Sequence, residues 1–206
     1  MTGPAIRSRL HALHADLRAA KLGRDLLDNK REAILRTLSE RSRRRAAALT
    51  QVEAAWRQAQ RALRNACIEL GFTVVDGAAL AQPVTVTVDW RGGSVVGVAT
   101  PRLHASIGSF TAHYGPATTT ASLDRAGLEF TQLIPVLVRL AQEDEAVRNL
   151  QSALRKTIRR LQALEQLVIP QLDREARAVA AALEEEERDD AVRARRWLTQ
   201  RSDAQF

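Results

Sequence analysis

Apolar residues in the first third of the chain recur at steps of three and four, the spacing of one helix face. Leu10, Leu13, Leu17 and Ala20 open a seam, and Leu27, Ile34 and Leu38 continue it. A second run follows through Leu49, Val52, Trp56, Ala59, Leu63, Ala66 and Leu70. The step from Leu38 to Leu49 is eleven residues, which a straight helix matches better than a seven-residue repeat. The pattern predicts a single helix over residues 4–70. At a rise of about 1.5 Å per residue it would be roughly 95 Å long, too long for an ordinary globular domain.

Residues 71–122 change character. QPVTVTVDW alternates Val84, Val86, Val88 and Trp90 with polar neighbours, the period-two pattern of a half-buried strand. RGGS reads as a turn in which Gly92 and Gly93 can take positive φ, and SVVGVAT reads as a second strand. A β-hairpin is therefore expected at residues 83–100, closed by Pro101, with the following stretch mostly loop. Helix returns over residues 123–203. Val147, Leu150, Leu154, Leu161, Leu164 and Val168 form a heptad seam with Thr157 as its polar member. Leu172, Ala176, Val179 and Leu183 continue it one residue out of step, and Pro170 sits at the slip.

Two long helices around a short insert pair most simply as an antiparallel hairpin. The expected fold is mainly α, a long antiparallel two-helix coiled coil with a small middle region containing a β-hairpin. If Leu70 faces Leu123, Pro170 falls opposite Gly23, where a proline kink would meet the room left by a glycine. On that register residues beyond about 188 have no partner and project as a lone polar helix.

Composition fits this plan. Aromatic residues make up only 4% of the chain, so thin apolar seams replace a thick core. No stretch approaches the roughly 20 apolar residues of a bilayer span, and the charged N-terminus lacks a signal-peptide core. Neither membrane insertion nor export is therefore expected. The single Cys67 allows no internal disulfide, suits a reducing cytoplasm, and reads as seam filler. The net charge of +7 is concentrated at the front: residues 1–70 carry 15 basic and 7 acidic side chains. Arg43, Arg44 and Arg45, with Arg41, form the densest cluster. No aromatic or glycine interleaves with it as a nucleic-acid site would require, so a solvated or protein-facing surface is expected.

Catalytic chemistry is not legible. There is no P-loop and no dinucleotide fingerprint. His11 and His14 share a helix face without a third ligand beside them, and Glu184–Glu187 read as a solvated face. No catalytic, cofactor or metal residue is assigned.

Several motifs resemble one family. Arg159-Arg160-Leu161-Gln162-Ala163-Leu164-Glu165, followed by Ile169-Pro170-Gln171-Leu172, is similar to the RRxNALE…IPxL signature of the D subunit of the V-type and A/V-type rotary ATPases. The acidic run Leu183–Asp189 resembles that family's LxExERE continuation. Gly23, Leu26, Leu27, Lys30, Arg31 and Glu32 resemble its G-xx-LLKxKRD segment. Val96-Gly97-Val98 with Pro101, and Tyr114-Gly115, resemble its MGVxxP strand and YG pair. Gln162, Val96 and the Asp28-Asn29 pair depart from the family pattern, and Asp28 puts a basic contact there in doubt.

The resemblance implies a non-catalytic central rotor shaft whose helix termini enter a catalytic hexamer of A and B subunits. The F subunit would bind alongside, the middle region would hang below, and the lower end would dock on the subunit that seats on the membrane ring. It further implies a cytoplasmic subunit peripheral to the membrane, with nucleotide bound by other subunits. Gly23, Leu26, Leu27, Lys30, Arg31, Arg159, Arg160, Ala163, Leu164, Glu165 and Pro170 would belong to the shaft. Val84, Val86, Val88, Trp90, Gly97 and Val98 would belong to a regulatory hairpin. Arg43, Arg44, Arg45, Arg195 and Arg196 are candidate contacts with the hexamer. The alternative from another class is a stand-alone coiled-coil adaptor whose basic half binds nucleic acid.

Overall fold

The computed structural model describes residues 3–82, 86–108, 110–115 and 119–203. Helix α1 runs Gly3–Leu70 and α2 runs Phe72–Ala81. Strands β1 (Val86–Arg91), β2 (Ser94–Val95), β3 (Val98–Ala99) and β4 (Arg102–Ile107) follow. Helix α3 (Ala121–Ala163) leads through a π-helical turn, Leu164–Val168, into α4 (Ile169–Asp203). The chain forms two compact units, a terminal one of residues 1–32 with 155–206 and a central one of residues 33–154.

The seam of α1 is more regular than its apolar residues suggest. Leu13, Ile34, Ala48, Ala59, Ala62 and Ala66 are buried, while Leu49 and Trp56 are 39% and 46% exposed. Near Leu49 the buried position is thus the alanine one residue earlier. Between Leu38 and Ala48 the seam passes through Arg41 and Arg45, which keep the alternation of three and four. The predicted step of eleven therefore disappears: polar side chains occupy two seam positions. Alanine has little side chain to separate two backbones, so bulky neighbours lie at the flank of the seam. There Trp56 meets Phe130 edge to face, with ring centroids 6.1 Å apart.

The slip in the second seam is one inserted residue. Leu161 and Ala176 are buried, and Leu164, Ile169, Leu172, Val179 and Leu183 are half-buried. The steps of this series alternate three and four except for one step of five, Leu164 to Ile169. At that step the Ile169 amide donates to the Leu164 carbonyl five residues back, the bond of a π-helical turn. The extra residue is taken up locally, and the flanking faces stay in phase. Leu167 and Val168 are correspondingly turned outward, at 65% and 39% exposure, so Val168 is not the predicted seam residue. Pro170 lies just beyond the turn, where an amide would otherwise donate to Gln166 and the ring would crowd that carbonyl. Helix α3 contains a further interior proline, Pro135, on its exposed side, which the periodicity does not announce.

The cross-helix register departs from the predicted one. Arg7 pairs with Glu187 at 2.7 Å, within one residue of expectation. Arg41, by contrast, pairs with Glu143, well short of the position the predicted register assigns it. Gly23 also makes no close approach, since a Cβ built there meets nothing within 4 Å. A space-saving glycine opposite Pro170 is therefore not what the fold uses.

The hairpin differs most. β1 pairs antiparallel with β4, Val86 opposite Ile107 through Arg91 opposite Arg102. The predicted second strand instead folds into a small inner hairpin, β2 with β3. Its turn places Val96 at φ 55° and Gly97 at φ 70°, the paired left-handed conformation of a two-residue hairpin turn. Gly92 and Gly93 do not take positive φ. Gly93 is needed for closeness, because a Cβ there would lie 2.8 Å from the Thr100 carbonyl oxygen. Helix α2, for which the periodicity gives no expectation, packs Val75 and Ala78 with Ala66 and Leu123, and Cys67 lies beside them.

Candidate functional site

Three surfaces gather the residues singled out by sequence. In the terminal unit the two signature segments come together across the helix pair. The Arg24 guanidinium bonds Asp25 at 2.6 Å, and Glu165 on the second helix adds to the charge around it. Its proton is held more tightly than usual, first by the Asp25 hydrogen bond and charge, then with a contribution from Glu165. Arg31 pairs with Asp28 at 2.8 Å, so the residue that departs from the family pattern neutralises its neighbour. Leu27, Leu164 and Pro170 are half-buried, as is Gly23. Lys30, Arg159, Arg160, Ala163 and Glu165 face solvent. Leu22 and Leu26, one turn apart on α1, are also exposed at 62% and 61%. The signature therefore combines seam residues with an exposed face that carries both apolar and basic groups.

In the central unit the hairpin is docked against the helices. Val98 is buried with Ile34 and Leu150, and Val96 packs on the same cluster. The Asn149 side chain donates to the Ala99 carbonyl at 3.2 Å, and the Leu103 amide donates to Gln142 Oε1 at 2.9 Å. Val96 thus keeps a left-handed conformation unusual for a β-branched residue because its side chain is held by the helix pair. Gly97 and Val98 belong to this docked tip. Val86 is half-buried, whereas Val88 and Trp90 on the same strand are 49% and 68% exposed. Val84 lies outside the described residues.

The arginine cluster is largely engaged within the chain. Arg41 donates two bonds to Glu143, at 2.9 and 3.1 Å, with side-chain exposures of 19% and 7%. Arg45 pairs with Asp144 across the helices, and Arg44 with Glu40 along α1. Arg44–Glu40 is exposed along α1, whereas the Arg41–Glu143 pair places charge inside the seam and, with Arg45–Asp144 at the seam's edge, fixes which residues meet. Reading the run as a surface misses this role, although Arg41 and Arg45 fall on seam positions. Arg43, Arg195 and Arg196 are exposed.

The α2 end is closed by hydroxyl groups. Ser122 and Thr120 donate to Glu69 Oε2 at 2.5 and 2.9 Å. These bonds, that of Ser122 first, hold the Glu69 carboxyl below its ordinary range. Tyr114 donates to Asp124 at 2.5 Å. Burial first, then the bond and the negative charge of Asp124, push its hydroxyl above the usual phenol range. Gly127 lies under Phe110, whose ring occupies the space a Cβ would need. Among the described residues there is no cluster of three or more side chains able to hold a metal ion. None of the described helices is long and apolar enough to cross a membrane.

Comparison with known proteins agrees with the motifs. The family model for the ATP synthase D subunit matches residues 9–198. An A-type ATP synthase D subunit from Methanopyrus kandleri is 31% identical, over 92% of this chain and 83% of its own. A V-type ATP synthase D subunit from Thermotoga neapolitana is 31% identical, over 92% and 94%. The V-type ATP synthase D subunit of Thermus thermophilus is 32% identical, over 92% and 85%. The chain belongs to the ATP synthase D subunit family.

Proposed function

We propose that this chain is the central rotor stalk subunit of an A/V-type rotary ATPase, carrying torque between a nucleotide-binding hexamer and a membrane ring that moves ions. The observation that carries this reading is the near-continuous heptad alternation of α1, with cross-helix ion pairs set into it. Torque on a helix pair shears one helix along the other. Interdigitated seam residues resist that shear, and the Arg41–Glu143 fork resists register slippage because sliding would strand a buried carboxylate. The names of the relatives, A-type and V-type ATP synthase D subunits, support the assignment.

On this reading the partners are the F subunit, the hexamer of A and B subunits, and the subunit that seats the stalk on the ring. Residues 4–70 and 123–203 form the shaft, and residues 71–122 the middle region with a regulatory hairpin. The exposed face of the signature segments and Arg43, Arg195 and Arg196 contact the surrounding subunits. The chain performs no catalysis itself, and the complex sits at the membrane surface.

The test is a reversible lock. In the assembled complex, with Cys67→Ser as background, Ala194→Cys on the exposed part of α4 is joined by a disulfide to a cysteine placed in the hexamer lining. Oxidation should stop ATP hydrolysis, and reduction should restore it. Undiminished hydrolysis in the locked complex would remove the rotor reading.

A further inference from the structure

A basic cavity of about 600 Å³ lies in the central unit, between the hairpin and the helix pair. Arg41 and Arg44 line one wall; Arg91, Arg102 and His104 line the other. The hairpin wall is electrostatically odd. Arg91 and Arg102 stand directly opposite each other across β1 and β4, a like-charge pairing that weakens a sheet. Among the described residues neither has a carboxylate within ion-pair distance. The nearest carboxylate on this face of the ladder, Asp89 opposite His104, forms no ion pair with either arginine, while nearby Arg41, Arg44 and Arg45 each have a paired carboxylate.

We infer that this cavity receives an acidic polypeptide segment of a partner protein, with carboxylates meeting Arg91 and Arg102. Charge complementarity identifies the occupant as an anion, and the walls identify it as peptide. Val95, Pro101 and Leu103 give the cavity an apolar side on which neighbouring side chains can rest. Phosphate sites characteristically add converging backbone amides from a glycine-rich loop or helix start. The Leu103 amide in this wall is already used by Gln142. The buried Glu143 carboxylate on Arg41 also opposes a densely charged phosphate more than a single carboxylate. The inference rests on the central unit alone and does not depend on the rotor reading.

Binding is measured on the full chain with a short fluorescent peptide alternating Glu-Glu with Leu, by anisotropy at low salt. Arg91→Gln with Arg102→Gln should weaken it about tenfold, as loss of two charge-assisted contacts predicts. Arg64→Gln with Arg139→Gln, an equal loss of charge at two other exposed positions, should change it less than about twofold. The Arg91/Arg102 variant should melt no lower than the parent, because it relieves the cross-strand repulsion. Absence of peptide binding, or equal loss in both variants, would overturn the proposal. So would tripolyphosphate binding more tightly than the peptide with the same dependence on Arg91 and Arg102. Self-association abolished by the Arg91/Arg102 variant would also overturn it, making a second copy the occupant.

Discussion

At the scale of single residues, charge sets the packing where hydrophobicity is expected to. Arg41 and Glu143 occupy seam positions, and the carboxylate side chain is only 7% exposed. Arg41→Leu would leave Glu143 buried and uncompensated, with an expected loss of about 3–5 kcal/mol in chemical denaturation. Arg41→Leu with Glu143→Leu should recover most of that loss, because an apolar pair of similar volume avoids the desolvation cost. Equal destabilisation by the single and double variants would show that the pair does not act as a unit. Glu69 gives a pH-dependent counterpart. Its folded-state pKa is lowered by Ser122 and Thr120. Its contribution is therefore complete above the ordinary carboxylate value of about 4.3 and fades as pH falls through the lower folded value. Glu69→Gln should lower the neutral plateau of the stability–pH profile while changing little below the folded pKa, so that the acid limb becomes shallower. A parallel shift of the whole profile would contradict this assignment.

At the scale of elements, the phase of the hydrophobic pattern is legible in the sequence and its mechanism is not. A slip at Pro170 can be read from Leu161, Leu164 and Leu172, but a kink, a skip and a π-turn leave the same trace. Only the i to i−5 bond from Ile169 to Leu164 distinguishes them. A π-turn is an α-helix with one residue inserted, so removing one exposed residue from it should restore a regular helix with both faces in place. Deleting Gln166 together with Pro170→Ala is expected to alter stability by less than about 1 kcal/mol, because the seam then alternates three and four throughout. Pro170 must go too, since its ring would otherwise meet the carbonyl of a regular turn. Deleting Gln151 instead rotates everything beyond it by about 100° and takes Leu161 out of the seam. That variant should be far less stable, and equal tolerance of both deletions would refute the account. The hairpin departs from expectation for a related reason. Two alternating runs adjoin the RGGS turn and proximity pairs them, although Leu103, Ala105 and Ile107 also alternate with polar neighbours. Sequence spacing rewards the shorter loop. The structure instead seats the 94–99 segment on the helices and lets β1 find the more distant β4.

At the scale of the whole molecule, the motifs mark the family through two kinds of position: seam and turn residues such as Leu27, Leu164 and Gly97, and solvent-facing ones such as Lys30, Arg159, Arg160 and Glu165. They do not reveal what the middle region packs against. Helix composition, the narrow seams and the presence of a hairpin follow from periodicity; the docking of that hairpin depends on contacts distant in sequence, which periodicity does not encode. A hairpin that only hung from the helix pair could be removed without consequence for it. This one covers Ile34 and Leu150, both 0% exposed, through Val98 and Val96. Replacing residues 86–107 with a short Gly/Ser linker should leave the far-ultraviolet helical signal of α1 and α3 in place. The same change should lower unfolding stability by about 2–4 kcal/mol, the scale of uncovering two large aliphatic side chains. Truncating residues 84–98 alone would be a poorer test, since it removes all of β1 and leaves β4 without a partner. Ile34→Ala in the parent should cost a similar amount, and in the linker variant much less, because the side chain is then no longer enclosed. Additive losses would mean that Ile34 is buried by the helices alone. In that case the hairpin could be a free appendage, available to a regulator without any effect on the shaft beneath it. Non-additive losses would tie the two together, so that a partner drawing the hairpin away would also loosen the central helix pair.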